Sequence, residues 1–168
     1  MRNSKTLTIL WLCLITGTLD AIAALIISGK TPPMVVFQYI ASGWFGTKAF
    51  SGGVTMMLWG ILFHYLIASV WSILLFILYP SFSAFLKTKY LVAIVYGIII
   101  WLIMNRLVLP LTHVPKHTTP LTGSAIFKGI LALILCVGLP ISLVANKYYR
   151  WGISEKDHLL TLLLERFS

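Results

Sequence analysis

Apolar residues run almost unbroken through four stretches of the chain, approximately Leu7 to Ser28, Val54 to Tyr79, Tyr90 to Leu109 and Ala125 to Ala145. Each has about the 20 residues that a helix needs to cross a hydrocarbon layer of roughly 30 Å. No water in that layer serves backbone N–H and C=O groups, so such runs must pair them internally as helices. The pattern predicts an all-α integral membrane protein, a four-transmembrane-helix bundle. The second stretch, 26 residues long, would measure roughly 39 Å as a helix and should tilt or project.

The connections are unequal. After the first stretch comes "GKTPPMVVFQYIASGWFGTKAFSGG", in which Thr31 before Pro32 and Pro33 suits an N-cap and first turn. A short helix over Pro32 to Ser42 is expected. Its apolar character, the aromatic pair Trp44 and Phe45, and glycines at 43, 46, 52 and 53 suggest an interfacial or re-entrant element on the outer face. An ordinary outer loop folded over the helix ends is the alternative. At the other end, "SEKDHLLTLLLERF" starts with Ser154 and Asp157 in capping-box-like spacing and continues as a C-terminal amphipathic helix. The organisation expected is therefore a transmembrane domain over 1–150 and a cytoplasmic amphipathic tail over 151–168.

Small residues recur at three- and four-residue steps along each span. The first carries Cys13, Gly17, Asp20, Ala24 and Ser28; the second Gly53, Met57, Gly60, His64 and Ala68; the third Ala93, Gly97, Trp101 and Asn105; the fourth Ala125, Gly129, Ala132, Cys136 and Pro140. Such stripes let helix backbones approach closely, which is what associates helices in lipid. Gly17, Ala24, Gly60, Ala68, Gly97, Gly129 and Ala132 are the expected packing positions. Cys13 and Cys136 fall inside spans and read as packing residues rather than a disulfide framework.

Composition supports the membrane reading: 59% of the 168 residues are hydrophobic and only 10% charged, against roughly a quarter charged in soluble domains. The excess of 13 basic over 4 acidic residues lies mostly between the spans, a balance of topology and anionic lipid rather than nucleic acid. Arg2, Lys5, Lys87, Lys89, Lys147, Arg150, Lys156 and Arg166 fall on one side, and Lys30, Lys48, Arg106, Lys116 and Lys128 on the other. The positive-inside rule then puts both termini in the cytoplasm. The basic start and the "AIA" of the first run also admit a cleaved signal peptide, but an acid within 22 apolar-to-small residues favours a retained helix.

That acid carries the sharpest question. Asp20 is the only acidic residue before position 155 and sits inside the first span. An ionisable group there is costly and normally finds a partner or lines water. Counted from the outer ends, Asp20 lies roughly 12 Å deep, His64 roughly 16 Å and Arg106 roughly 5 Å. Helical side chains lean toward their own N-terminus, which brings His64 and Arg106 toward the level of Asp20. Arg106 is the expected ion-pair partner, with His64 and Asn105 completing the hydrogen bonds. In the alternative, Arg106 snorkels to the interface and Asp20 bonds Thr16 or His64. The outer loop adds His113 and His117, whose four-residue spacing is interrupted by Pro115; the first reading is no metal site. Phosphate loops, nucleophile elbows, HExxH and paired acids are absent from the sequence, and no cofactor is expected.

The runs "IASGWFGTKAFSGG", "LWGILFHYLIA", "MNRLVLPLTHVP" and "VGLPISL", with "GTLD" in the first span, resemble a group of uncharacterised bacterial four-span inner-membrane proteins, remotely similar to the YagU-like proteins. Nearly the whole chain is covered. The matching positions are Gly17, Asp20, Gly43, Gly46, Phe50, Gly52, Gly53, His64, Asn105, Pro110, Gly138 and Pro140; Arg106 is not among them. The resemblance implies membership, fold and an inner-membrane location, and no activity. Three functions stand at this point. The first is a structural or accessory protein that packs with itself or with a membrane-protein partner. The second is a small transporter or proton-linked carrier built on Asp20, His64, Asn105 and Arg106. The third is a membrane-embedded enzyme acting on a lipid-like substrate.

Overall fold

The computed structural model describes residues 5–115 and 122–150, all of them helical or in short connections. Four helices are long and apolar enough to cross a membrane: α1 (Lys5–Ile27), α3 (Gly53–Leu86), α4 (Lys89–Leu111) and α5 (Gly123–Arg150). A shorter helix, α2 (Pro33–Phe45), and one 3-10 stretch, Gly46–Ser51, connect α1 to α3. The expected amphipathic segment over 151–168, and His117, lie outside the described residues. α1 packs on α3, α3 on α4, α4 on α5, and α5 returns to α1. Most of each span's apolar surface faces outward, with Leu10, Trp11, Leu58 and Leu62 among the exposed side chains.

The span limits differ from expectation mainly at the terminal end. α3 does not stop at Tyr79 but runs 34 residues, roughly 51 Å, with Pro80 inside it. Proline there removes the N–H that would reach the carbonyl of Phe76. The Tyr149 hydroxyl, from the last turn of α5, donates to that carbonyl at 3.1 Å. The ring of Tyr149 also stacks on Tyr79 and packs on Phe76. The helix thus passes its proline because a neighbouring span supplies the missing donor. It ends at Lys87, whose left-handed φ of 59° lets its N–H bond Ser83.

α1 and α3 run antiparallel along a seam that is polar at four successive levels. Cys13 Sγ approaches the carbonyl of Ser69, Thr16 Oγ1 lies 2.7 Å from Ser72 Oγ, His64 Nε2 lies 2.9 Å from the carbonyl of Gly17, and Thr18 Oγ1 lies 2.9 Å from the Tyr65 hydroxyl. Gly17 is needed here: a methyl at its Cα would stand 2.8 Å from the Tyr65 ring. The α4–α5 seam is built differently, from glycines set against apolar side chains and backbone. A methyl on Gly97 would meet Ile134, one on Gly138 the backbone of Ala93, and one on Gly129 the Trp101 ring. Ala68 is buried, whereas Ala24 and Ala132 are half-buried.

The fourth-span stripe slips by one residue partway along. Cys136 and Pro140 were expected on the packed face; the buried side chains are Val137, Ile141, Ser142 and Ala145. The reason is a π-helical turn at Ile134–Gly138, whose extra residue rotates everything after it by one position. α4 contains a second such turn at Met104–Val108.

Candidate functional site

One flank of α3, bearing Tyr65, Ser69 and Ser72, serves α1 through the bonds above. The other flank carries Phe63, Ile67 and Trp71 toward α4. At Trp71 that flank is closed, because the Tyr96 hydroxyl donates to the Trp71 carbonyl at 2.7 Å and the two rings meet edge to face. Beyond Trp71, toward α2, the helices leave a cavity of about 410 Å³, within the size range of small-molecule sites.

α2 forms one wall of this cavity. The apolar run 33–40 has proline at its start and Gly46 at its end, where a φ of 62° closes the helix with a bond to Ser42. The helix lies against α3 because Gly60 has no side chain; a Cβ there would collide with the carbonyl of Phe37. Buried Gln38 donates to the carbonyl of Gly53 at 3.0 Å, and His113 N–H donates to that of Gly43 at 3.0 Å. Tyr39, Ile40, Gly43 and Trp44, one face of α2, are thereby held over the cavity. Both π-helical regions line it too, through Met104 and Val108 on α4 and through Leu133 and Val137 on α5. Unusual turns of this kind concentrate at functional sites.

The lining is apolar apart from a few groups, and two of those can ionise within the spans: Asp20 and His64. Gly17 O can only accept, so His64 Nε2 carries the hydrogen of their shared bond. Its Nδ1 makes no hydrogen bond with the described residues. The ring is fixed by Phe37 and Tyr65, each edge-on to it. Asp20 stands near enough for His64 to act on it electrostatically. Its carboxyl makes no hydrogen bond or ion pair with any described residue and faces the cavity.

The other two residues expected with Asp20 stand apart from it. Asn105, in the π-helical turn, donates its side-chain amide to the carbonyl of Trp101 at 2.9 Å, stabilising its own helix. Arg106 is exposed and outside the lining, so the expected ion pair with Asp20 does not form. Straight helical geometry could not anticipate this, because the π-helical turn spanning 104–108 changes the direction of every side chain within it. The aromatic wall of Tyr39, Phe63 and Trp71 was not singled out from the sequence; the signal available was the two-sided spacing of aromatics along α3. Among the described residues, no three His, Cys, Asp or Glu side chains gather as a metal site.

The cavity has an open side. Leu66 and Ile67 of α3 and Trp44 of α2 line it and are also exposed on the outside of the chain, Trp44 at 74%. It therefore reaches the apolar flank of the spans, beside Leu66 and Ile67 of α3 and Trp44 of α2. Compared with protein-family models, with curated proteins and with solved structures, the chain matches none.

Proposed function

We propose that this chain is a multi-pass protein of the bacterial inner membrane, a four-helix transmembrane bundle with both termini cytoplasmic, and that it works as a small proton-linked carrier. The orientation rests on the basic residues Lys5, Lys87, Lys89, Lys147 and Arg150 at the terminal end. α2 is the re-entrant element of the outer face: it is apolar, and its Phe37 rests on Gly60, roughly 10 Å below the start of α3.

One observation carries the carrier reading. A carboxyl inside a span normally has a partner, and that of Asp20 makes no hydrogen bond or ion pair with the described residues and faces the cavity, with His64 within electrostatic reach. A charge there costs about 2.5–3.5 kcal/mol on insertion scales. A proton or a bound cation relieves that cost, and a group that accepts either in turn is the minimum a proton-linked carrier needs. The small-residue stripes give the accessory reading no comparable support, because Gly17, Gly60, Gly97 and Gly138 are used against neighbours within the chain.

The test is flux in vesicles holding a pH-sensitive dye, with cationic, neutral and anionic amphiphiles offered under an imposed pH gradient. Wild-type protein should dissipate the gradient with one of these classes, and Asp20→Asn, folded and inserted, should not. Equal dissipation by both proteins overturns the proposal.

A further inference from the structure

The cavity's chemistry narrows the ligand further than its size does. Its charged member is an acid; no lysine or arginine lines it among the described residues. Tyr39, Phe63, Trp71 and Trp44 line the same cavity. The faces of such rings attract cations, most strongly where water is excluded. The rest of the lining is largely aliphatic, with few acceptors for a hydrated ammonium and few donors for an anion. We propose, building on the carrier reading, that the cavity binds a lipophilic organic monocation, whose charge rests beside Asp20 and whose apolar substituents fill the space between α2, α3 and α4.

Three features favour that class over others. An anion would meet Asp20 with no lysine or arginine of the lining, among the described residues, to offset the repulsion. A neutral apolar molecule would leave the carboxyl unpaired. A zwitterionic lipid headgroup would bring a phosphate alongside its cation, and among the described residues no lysine or arginine of the lining receives it, while the Nε2 hydrogen of His64 is already given to Gly17. The opening past Leu66 and Ile67 lies on the apolar flank, which is where a cation with large apolar substituents partitions in a bilayer. Charge balances if one proton leaves the site for each monocation that enters. The titratable groups around Asp20 that bear on this exchange are His64 on α3, Tyr39 on α2 and Cys136 on α5, the last within electrostatic reach of Asp20.

The experiment is equilibrium dialysis of the full chain in phosphatidylglycerol nanodiscs against tetraphenylphosphonium, with tetraphenylborate as a probe of the same shape and opposite charge. Tetraphenylphosphonium should be retained and tetraphenylborate should not. Asp20→Asn should weaken retention by roughly thirtyfold or more, as removal of one member of a desolvated charge pair does. Trp44→Ala, on an exposed side chain whose loss leaves the helix contacts intact, should weaken it about two- to fivefold. Arg106→Gln should leave it unchanged. Equal retention of both ions, or undiminished binding by Asp20→Asn, overturns the proposal. If tetraphenylphosphonium is not retained while vesicles still show Asp20-dependent flux of a neutral or anionic amphiphile, the ligand class is wrong and the carrier reading survives. If flux is absent as well, both fail. Retention that disappears only when phosphatidylcholine is added to the disc would assign the site to a lipid headgroup and also overturn the free-cation proposal.

Discussion

The two halves of this molecule treat polar groups in opposite ways. Toward the termini, Leu12, Leu75, Phe76, Val92, Tyr96 and Ile141 pack into one buried apolar core. The tyrosine hydroxyls bordering it, those of Tyr96 and Tyr149, reach backbone carbonyls. Toward α2 the helices part, and Asp20 lines a cavity beside His64, which among the described residues is hydrogen-bonded on one nitrogen only. The described residues that supply a donor to the carbonyl stranded by Pro80 supply none to Asp20. The terminal half leaves a buried polar atom without a partner too, Ser142 Oγ, but that is a neutral hydroxyl enclosed in the core, whereas Asp20 can ionise and lines a cavity: the α2 half has the composition of a site, the terminal half that of a scaffold.

The largest expected effect comes from removing the wall between the halves. Gly60→Leu would drive a side chain into the Phe37 backbone, and α2 would have to leave α3. A loss of about 3 kcal/mol or more in unfolding free energy is expected in nanodiscs. Gly123→Ala, where a methyl meets nothing within 4 Å, is the control and should cost nothing measurable. A Gly60→Leu protein as stable as wild type would show that α2 is not seated as described.

Asp20→Leu and Tyr149→Phe test the comparison directly, because their effects should have opposite signs. Replacing an unpaired carboxyl in an apolar cavity should stabilise the protein, by about 2 kcal/mol, as sites kept for function commonly allow. Tyr149→Phe removes the donor at the Phe76 carbonyl and should destabilise it by about 1 kcal/mol. Thermal melts of both variants read the two signs together. Destabilisation by Asp20→Leu would mean that the carboxyl has a structural partner, and the distinction between site and scaffold would collapse.

Much of this arrangement is legible in the sequence where a single physical rule decides it. Span number follows from apolar run length. Asp20 and His64 stand out because ionisable residues in such runs are rare. Gly60 follows from the small-residue stripe, although the stripe could not say that its neighbour is α2 rather than another span. The rest depends on local backbone changes that periodicity does not encode. Val137 and Ile141 take the centre of the packed face, with Cys136 partly buried at its edge, because of one inserted residue at Ile134–Gly138. Arg106 and Asn105 leave the neighbourhood of Asp20 because they lie inside the matching turn of α4. The continuation of α3 beyond Tyr79 needed Tyr149, 69 residues after Pro80 and on another helix.

The smallest effect concerns how polar the scaffold itself must be. Thr16 and Ser72 share a hydroxyl pair at 2.7 Å, and each is also 2.7 Å from the carbonyl four residues before it, Leu12 and Ala68. Either hydroxyl can therefore fall back on its own helix when the other is removed, so neither is left unsatisfied. A double-mutant cycle of Thr16→Val and Ser72→Ala should give a coupling of only about 0.6 kcal/mol, the ordinary value between spans. Coupling of about 1.5 kcal/mol or more would mean that this pair fixes the α1–α3 register and, through it, the placement of Asp20 beside His64. With weak coupling, register instead rests on the contact of Gly17 with Tyr65, and the polar seam is tolerated by the packing rather than responsible for it.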